Sequence, residues 1–164
     1  MLFLRPKSAL DVGCGAGQLV KWLRFFGVEA YGVEISQYAL DLAREDIKKY
    51  LKKGDIAELP YDDNQFDAVV SYDVMEHLER SKIRKAMAES VRVSKKFTLH
   101  KIYTTENLWF TYFHGKDFSQ VSVFSKSYWQ KLFTSFEGVS VLRGSFFRLP
   151  SFFESIFLLR KKSS

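Results

Sequence analysis

The sequence predicts an α/β fold, a doubly wound and mostly parallel sheet with helices on both faces. Three observations carry this. Short apolar runs alternate with stretches of helical period from residue 8 to residue 103. The first run ends in a loop with glycines at 13, 15 and 17, the turn chemistry of a strand-to-helix junction. Two acids, Glu34 near the end of the second run and Asp55 after the third, stand where an open parallel sheet keeps its ligand sites.

Taken in order, Ser8–Val12 reads as a buried strand. Leu19, Leu23 and Phe26 then fall at helical spacing, and Gly27 sits where a helix stops. Glu29–Ile35 is the second strand. Ser36 is the N-cap of a helix running from Gln37 to Ile47, with Ala39, Ala43 and Ile47 on successive turns. Tyr50–Lys53 is a third strand, and Leu59–Asn64 is turn chemistry. Phe66–Ser71 is the fourth strand. Ile83, Met87 and Val91 mark one helical face, and Phe97–Tyr103 is the fifth strand. Residues 104–124 show no period and many aromatics, which predicts a long functional loop. Ser125 caps a last helix onto which Phe124 staples through Trp129, with Trp129, Leu132, Phe133 and Phe136 inward. Residues 138–143 and 155–160 are the final strands.

The length of 164 residues predicts a single domain with a real core. One cysteine, Cys14, excludes an intrachain disulfide and a Cys-rich zinc site, and it suits a reducing compartment. The sequence has neither an 18-residue apolar run nor a signal-like N-terminus, so a cytoplasmic location is expected. The net charge of +6 is unevenly spread. Residues 1–79 carry 9 Lys and Arg against 14 Asp and Glu, whereas residues 80–164 carry 16 against 5. Of the 27 aromatics, 16 lie between Tyr103 and Phe157. An anionic or extended partner is therefore expected at the second half, with a solvated basic surface as the alternative.

The glycines let backbone approach a ligand without Cβ obstruction, and the helix behind them offers unpaired N–H groups. Glu34 can accept two ribose hydroxyls, and Asp55 can accept from an adenine amine. A dinucleotide fingerprint starting at Gly13 would place its third glycine at position 18, which is Gln18, so a nicotinamide enzyme is excluded.

Leu10-Asp11-Val12-Gly13-Cys14-Gly15-Ala16-Gly17 resembles the first motif of the class I S-adenosylmethionine-dependent methyltransferases. Tyr31–Ser36, Gly54–Ile56 with Leu59-Pro60, Phe66–Ser71 and Val74–Leu78 continue that resemblance in order. It implies a Rossmann-like seven-stranded sheet with an antiparallel last strand. It also implies a single methyltransferase domain over 1–164, with a cofactor half at about 1–79, an acceptor-side half at about 80–160 and a tail at 161–164. The implied cofactor is S-adenosylmethionine. Its methionine end would meet Asp11, Gly13, Cys14, Gly15 and Gly17. Glu34 would take the ribose, Ile35 would pack on the adenine, and Asp55 and the Ile56 N–H would read the adenine edge. Ser71 and Tyr72 would face the reaction centre.

The resemblance further implies in-line methyl transfer to an O, N or C acceptor. A general base is needed only when the acceptor must lose a proton, and the candidates are Tyr72, Asp73, His77, His100 and His114. Asp73, Glu76 and His77 are similar to an E-x-x-E-H stretch that binds a divalent metal in small-RNA 2′-O-methyltransferases and ubiquinone-pathway O-methyltransferases. Here the first acid is Asp and Arg80 lies close by, so no metal is expected. A small-molecule acceptor is the expected partner, nucleic acid the second, and a homo-oligomer could form through the aromatic 104–124 loop. The alternative functions are a non-catalytic cofactor-binding or scaffold subunit and an RNA methyltransferase.

Overall fold

The computed structural model describes residues 5–105, 119–142 and 156–162. Its strands are β1 (Ser8–Val12), β2 (Glu29–Glu34), β3 (Leu51–Lys53), β4 (Phe66–Tyr72), β5 (Ser94–Lys101), β6 (Val139–Val141) and β7 (Ile156–Lys161). Its helices are α1 (Gln18–Phe25), α2 (Gln37–Asp41), α3 (Glu45–Lys48), α4 (Arg80–Val93) and α5 (Lys126–Thr134), with a 3-10 turn at Met75–His77. The strands form one sheet in the order β3-β2-β1-β4-β5-β7-β6. Strands β1 to β5 pair in parallel, and β7 runs antiparallel between β5 and β6. The doubly wound sheet expected from the alternating pattern is thus present, as is the antiparallel strand that the resemblance implies.

Strand alternation divides the core between two faces. Ala9 of β1 packs with Val20, Leu23, Ala30, Leu40 and Ile47 beneath α1 to α3. Its neighbours Leu10 and Val12 pack on the other face with Ile83, Met87, Trp129 and Phe133 of α4 and α5. Burial on both faces explains why the strands read as unbroken apolar runs.

Several elements differ from the sequence reading. The helix expected over Gln37–Ile47 is two short ones, because Arg44 is extended (ψ 143°). Ser36 does cap the first, accepting from Ala39 N at 3.2 Å. The break lets the chain turn, and Arg44 pairs with Asp46 beside it. In α1 the inward residues are Val20 and Leu23, while Phe26 lies beyond the helix and is turned out with Trp22 and Phe25. In α4 the buried stripe is Ile83, Ala86, Met87, Ser90 and Val93, and Val91 is only half-buried. Strand β5 starts three residues early because no linker separates it from α4. The Lys161 ammonium donates to Val91 O and Ser94 O, both at 3.0 Å, and so satisfies carbonyls that a loop would otherwise expose. The strand ends early too, where Tyr103 N leaves the ladder and donates to Glu76 Oε1 at 2.9 Å. Ser125 caps α5, accepting from Tyr128 N at 3.2 Å, and the Phe124 ring lies 6.0 Å from that of Trp129.

One clamp fixes the segment that follows Asp55. Arg92 donates to Leu59 O, Tyr61 O and Asp63, and makes a two-bond pair with Glu89, which in turn accepts from Leu59 N at 2.8 Å. The guanidinium holds the Glu89 carboxyl below its ordinary pKa. An ammonium cannot fork in this way. Arg92→Lys is therefore expected to lower stability by about 1–3 kcal/mol, read from urea unfolding midpoints.

Candidate functional site

Asp11, the glycine loop, Glu34, Ile35, Asp55, Ile56 and Tyr72 gather at the C-terminal ends of β1 to β4. The glycine loop is held by its backbone, with Gly13 N and Cys14 N both donating to Val33 O at 2.8 and 3.0 Å. Gly13 has φ 73°, and a Cβ there would lie 2.4 Å from Val74 Cγ2. Gly15 has φ 53° and open space where its Cβ would point. The two glycines therefore differ in role. Gly13 admits a protein side chain, whereas Gly15 leaves room beside the loop.

Glu34 ties this loop to the end of β2. Its Oε2 accepts from Gly15 N at 3.0 Å and its Oε1 from Ser36 N at 2.9 Å. Each carboxylate oxygen keeps a second lone pair for a ligand hydroxyl. Asp55 accepts from Ala57 N at 2.8 Å and faces Lys82 at 3.8 Å across an exposed pair that contributes little to stability. A cavity of about 390 Å³ joins Gly13, Glu34, Ile35, Asp55, Ile56 and Val74. Ile35 is 62% exposed there, an apolar side chain offered to solvent at the mouth of the groove.

A second cavity, of about 350 Å³, lies on the other side of Gly13 between Asp11, Cys14, Gln18, Leu19, Trp22 and Tyr72. The two share Gly13 at the end of β1 and together are called the groove. Asp11 is buried, and its carboxylate has no hydrogen-bond partner among the described residues. Burial, with the Glu34 charge beside it, pushes its pKa up from 3.8 to about 7. The native state therefore keeps a proton that the unfolded chain releases near pH 4. That contribution to stability is full below pH 3.8 and is lost as pH rises to about 7. Asp11→Asn should abolish a loss of at most about 4 kcal/mol across that window. Urea titrations at several pH values check this, the variant showing a flatter profile than the parent chain. Burial, with Asp11 and Glu34 nearby, also pushes the Cys14 thiol up to about 12, so it is not a nucleophile.

Ser71 does not reach the groove. Alternation along β4 turns it to the α4 and α5 face, where it is fully buried and its Oγ lies 2.7 Å from His100 Nδ1. Tyr72, the next residue, faces the groove and is 42% exposed. His100 is fully buried, stacks on Phe133, and is driven down to about 3 by burial, so it stays neutral. Neither His100 nor Ser71 lines either cavity.

Asp73, Glu76 and His77 follow β4 but turn to three different partners. Asp73 pairs with Lys101. Glu76 is fully buried, accepts from Tyr103 N, and has its pKa raised by burial. His77 Nδ1 lies 3.0 Å from Ser119 Oγ. Among the described residues no three such side chains converge on a metal. His114 and most of the aromatic 104–124 loop lie outside the described residues. The ends of that loop are joined, with Thr105 N donating to Phe124 O at 3.1 Å and Ser122 N to Glu76 O at 2.9 Å.

The sequence reading missed Val74, Gln18, Leu19 and Trp22 as lining residues. Val74 sits over Gly13 because Asp73 adopts a left-handed conformation (φ 51°) that bends the chain back. The turned-out Trp22 carries a usable signal, since Trp22, Phe25 and Phe26 exceed what one buried stripe can hold.

Comparisons with known proteins agree with this geometry. Residues 10–97 match the family model described as "Methyltransferase domain", which is more than half of the chain. The chain belongs to this family, within the class I S-adenosylmethionine-dependent methyltransferases. It is 35% identical over 98 residues to the Oryza sativa subsp. japonica protein named "Probable tocopherol O-methyltransferase, chloroplastic", covering 55% of this chain and 26% of that one. It is 32% identical over 81 residues to a ubiquinone biosynthesis O-methyltransferase of Alkalilimnicola ehrlichii, covering 46% of this chain and 33% of that one. The matched segments thus span a third or less of these relatives. The crystal structure of magnesium protoporphyrin IX methyltransferase from Synechocystis with bound SAH superposes with TM-score 0.69. It is 18% identical, with 94% of this chain and 74% of that one covered, and shows a shared fold. Among the described residues no helix is long and apolar enough to cross a membrane.

Proposed function

We propose that the whole chain acts as one methyltransferase domain that binds S-adenosylmethionine along the groove and passes its methyl group in line to an O, N or C acceptor. One observation carries this reading. Two cavities meet at Gly13, one lined by Glu34 and Asp55 as hydroxyl and amine acceptors and the other by Tyr72 and the carboxyl of Asp11, which has no hydrogen-bond partner among the described residues. The residues present fit the cofactor, since Gly15 leaves open space beside the loop and Asp11 lacks a protein partner for its charge.

When bound, the cofactor supplies an already activated methyl group on a sulfonium. The chain's part is to bind, orient and exclude water. Glu34 accepts the ribose hydroxyls while its bonds to Gly15 N and Ser36 N fix its rotamer. Ile35 packs on the adenine, the Asp55 carboxylate accepts from its amine, and the Ile56 N–H caps a ring nitrogen. Asp11, whose pKa lies at about 7 in the empty groove, would be held ionised by the ammonium of the methionine end. Tyr72 stands at the reacting end. Transfer to a nucleophile that is already unprotonated requires no base, in keeping with a buried neutral His100, whereas His77 and Asp73 do line the Glu34 cavity.

A small-molecule acceptor is proposed, supported by relatives named for tocopherol and for ubiquinone biosynthesis. A cytoplasmic location is part of the proposal, supported by one cysteine that is buried. The test is a mass-spectrometric screen with isotopically labelled S-adenosylmethionine against phenols, quinols, amines, lipids and RNA. A one-methyl mass gain on an acceptor supports the enzyme. Cofactor binding with no transfer to any of them favours a scaffold subunit instead.

A further inference from the structure

The basic half of the sequence does not concentrate its charge at the groove. A cavity of about 460 Å³ is lined by Lys95, Lys96, Phe97, Ser140, Arg160, Lys161 and Lys162, at the opposite end of the sheet. It lies beside the first residues of β5, whereas the groove lies beside the last. Six residue steps of β5 separate Lys95 from Lys101, about 20 Å of extended strand.

Three features distinguish this cavity from ordinary surface lysines. The first is register. Phe97 pairs with Arg160, and Arg160 with Ser140, so a ring, a guanidinium and a hydroxyl stand side by side across β5, β7 and β6. Directly paired residues on neighbouring strands share a face. The second is a bulge. Phe66 pairs with Ser94 and Ala68 with Phe97, so three steps of β5 oppose two of β4. Regular alternation would turn one of Lys95 and Lys96 toward the buried face, but the bulge leaves both exposed. The third is the balance of charge. Lys96 is neutralised by Asp67 at 3.2 Å, and Lys161 is spent on Asn64 and main-chain carbonyls. Lys95, Arg160 and Lys162 have no ion pair among the described residues, and no acid lines the cavity.

We propose that this patch binds single-stranded nucleic acid, with phosphates on Lys95, Arg160 and Lys162 and a base against Phe97. Lys95, Arg160 and Lys162, which no acid pairs among the described residues, repel one another, and an anion that carries several phosphates relieves that repulsion. The half-buried ring among them offers a stacking face, which a base can use and an isolated phosphate cannot. A lipid surface is a poorer fit, because Phe97 is half-buried rather than exposed for insertion. The register of β4 with β5 puts Phe97 on the sheet face that also carries Tyr72 and Lys101, but Leu99 between them is buried, so the patch is a site separate from the groove.

This inference does not depend on the methyltransferase reading, and its test needs no cofactor. Fluorescence anisotropy of the whole chain with a labelled single-stranded oligouridylate is the measurement. Binding should weaken as salt rises. The Lys95→Ala/Arg160→Ala double variant should bind at least tenfold more weakly, with a log–log salt slope shallower by about 1.4 for two lost phosphate contacts. Phe97→Leu should lose about fivefold or more on the oligomer while heparin binding stays unchanged. Thermal unfolding of each variant near that of the parent shows that folding is intact. No binding at micromolar protein, equal affinity in the double variant, an equal loss on heparin for Phe97→Leu, or tighter binding to phosphatidylglycerol vesicles than to the oligomer would each overturn the proposal.

Discussion

Replacing Gly13 with alanine is expected to lower the stability of the chain by ~2–5 kcal/mol and to abolish ligand binding in the groove. Two costs add. An L-residue at φ 73° bears the strain of the left-handed region, about 1–2 kcal/mol. A Cβ placed 2.4 Å from Val74 Cγ2 must also push that side chain away, an overpacking of roughly 1–3 kcal/mol. The two parts can be separated. Val74→Ala in the Gly13→Ala background should return the steric part and leave the conformational part. A double-mutant cycle on urea midpoints measures this as a coupling between the two sites. Gly15→Ala provides the control, since its backbone is equally left-handed but its Cβ meets nothing within 4 Å. It should show the conformational cost alone.

Glu34→Ala is expected to weaken cofactor binding by about 1.5–3 kcal/mol, or roughly 10- to 150-fold in dissociation constant. The value is that of hydrogen bonds to a charged acceptor. The variant also removes the acceptor of Gly15 N and of Ser36 N, so the glycine loop loses its tie to β2. Glu34→Gln distinguishes the two effects. Its amide oxygen can keep one backbone bond but presents neither the charge nor two equivalent acceptors. If Glu34 acts mainly on the ligand, Glu34→Gln should bind nearly as poorly as Glu34→Ala yet unfold closer to the parent chain. Calorimetric titration and thermal unfolding of the same samples provide both readings.

Much of the cofactor half was legible from residues 8–78 because its signals are local. Glycines that must be glycine, acids at strand ends and apolar runs buried on both faces each leave a mark within a few residues. The features that were not legible depend on distant partners. Nothing near Ser94 reveals that Lys161 will satisfy the carbonyls there and let β5 begin directly after α4. Ser71 and Tyr72 are adjacent in sequence, and only the strand's alternation against α5 decides which one meets the groove. Asp73, Glu76 and His77 have a spacing that suggests a shared ligand, but Lys101, Tyr103 and Ser119 draw them apart. The charge asymmetry was plain in the sequence, but its destination was not. A bulge and an antiparallel register carry the cluster of Lys95, Arg160 and Lys162 away from the groove.

The central claim is that the groove is built for S-adenosylmethionine. It is tested most directly by calorimetric titration of the chain with S-adenosylmethionine and, separately, with a nicotinamide dinucleotide. The account predicts saturable one-to-one heat with the sulfonium cofactor, lost in Gly13→Ala, and none with the dinucleotide. Binding of the dinucleotide with no heat from S-adenosylmethionine would contradict it.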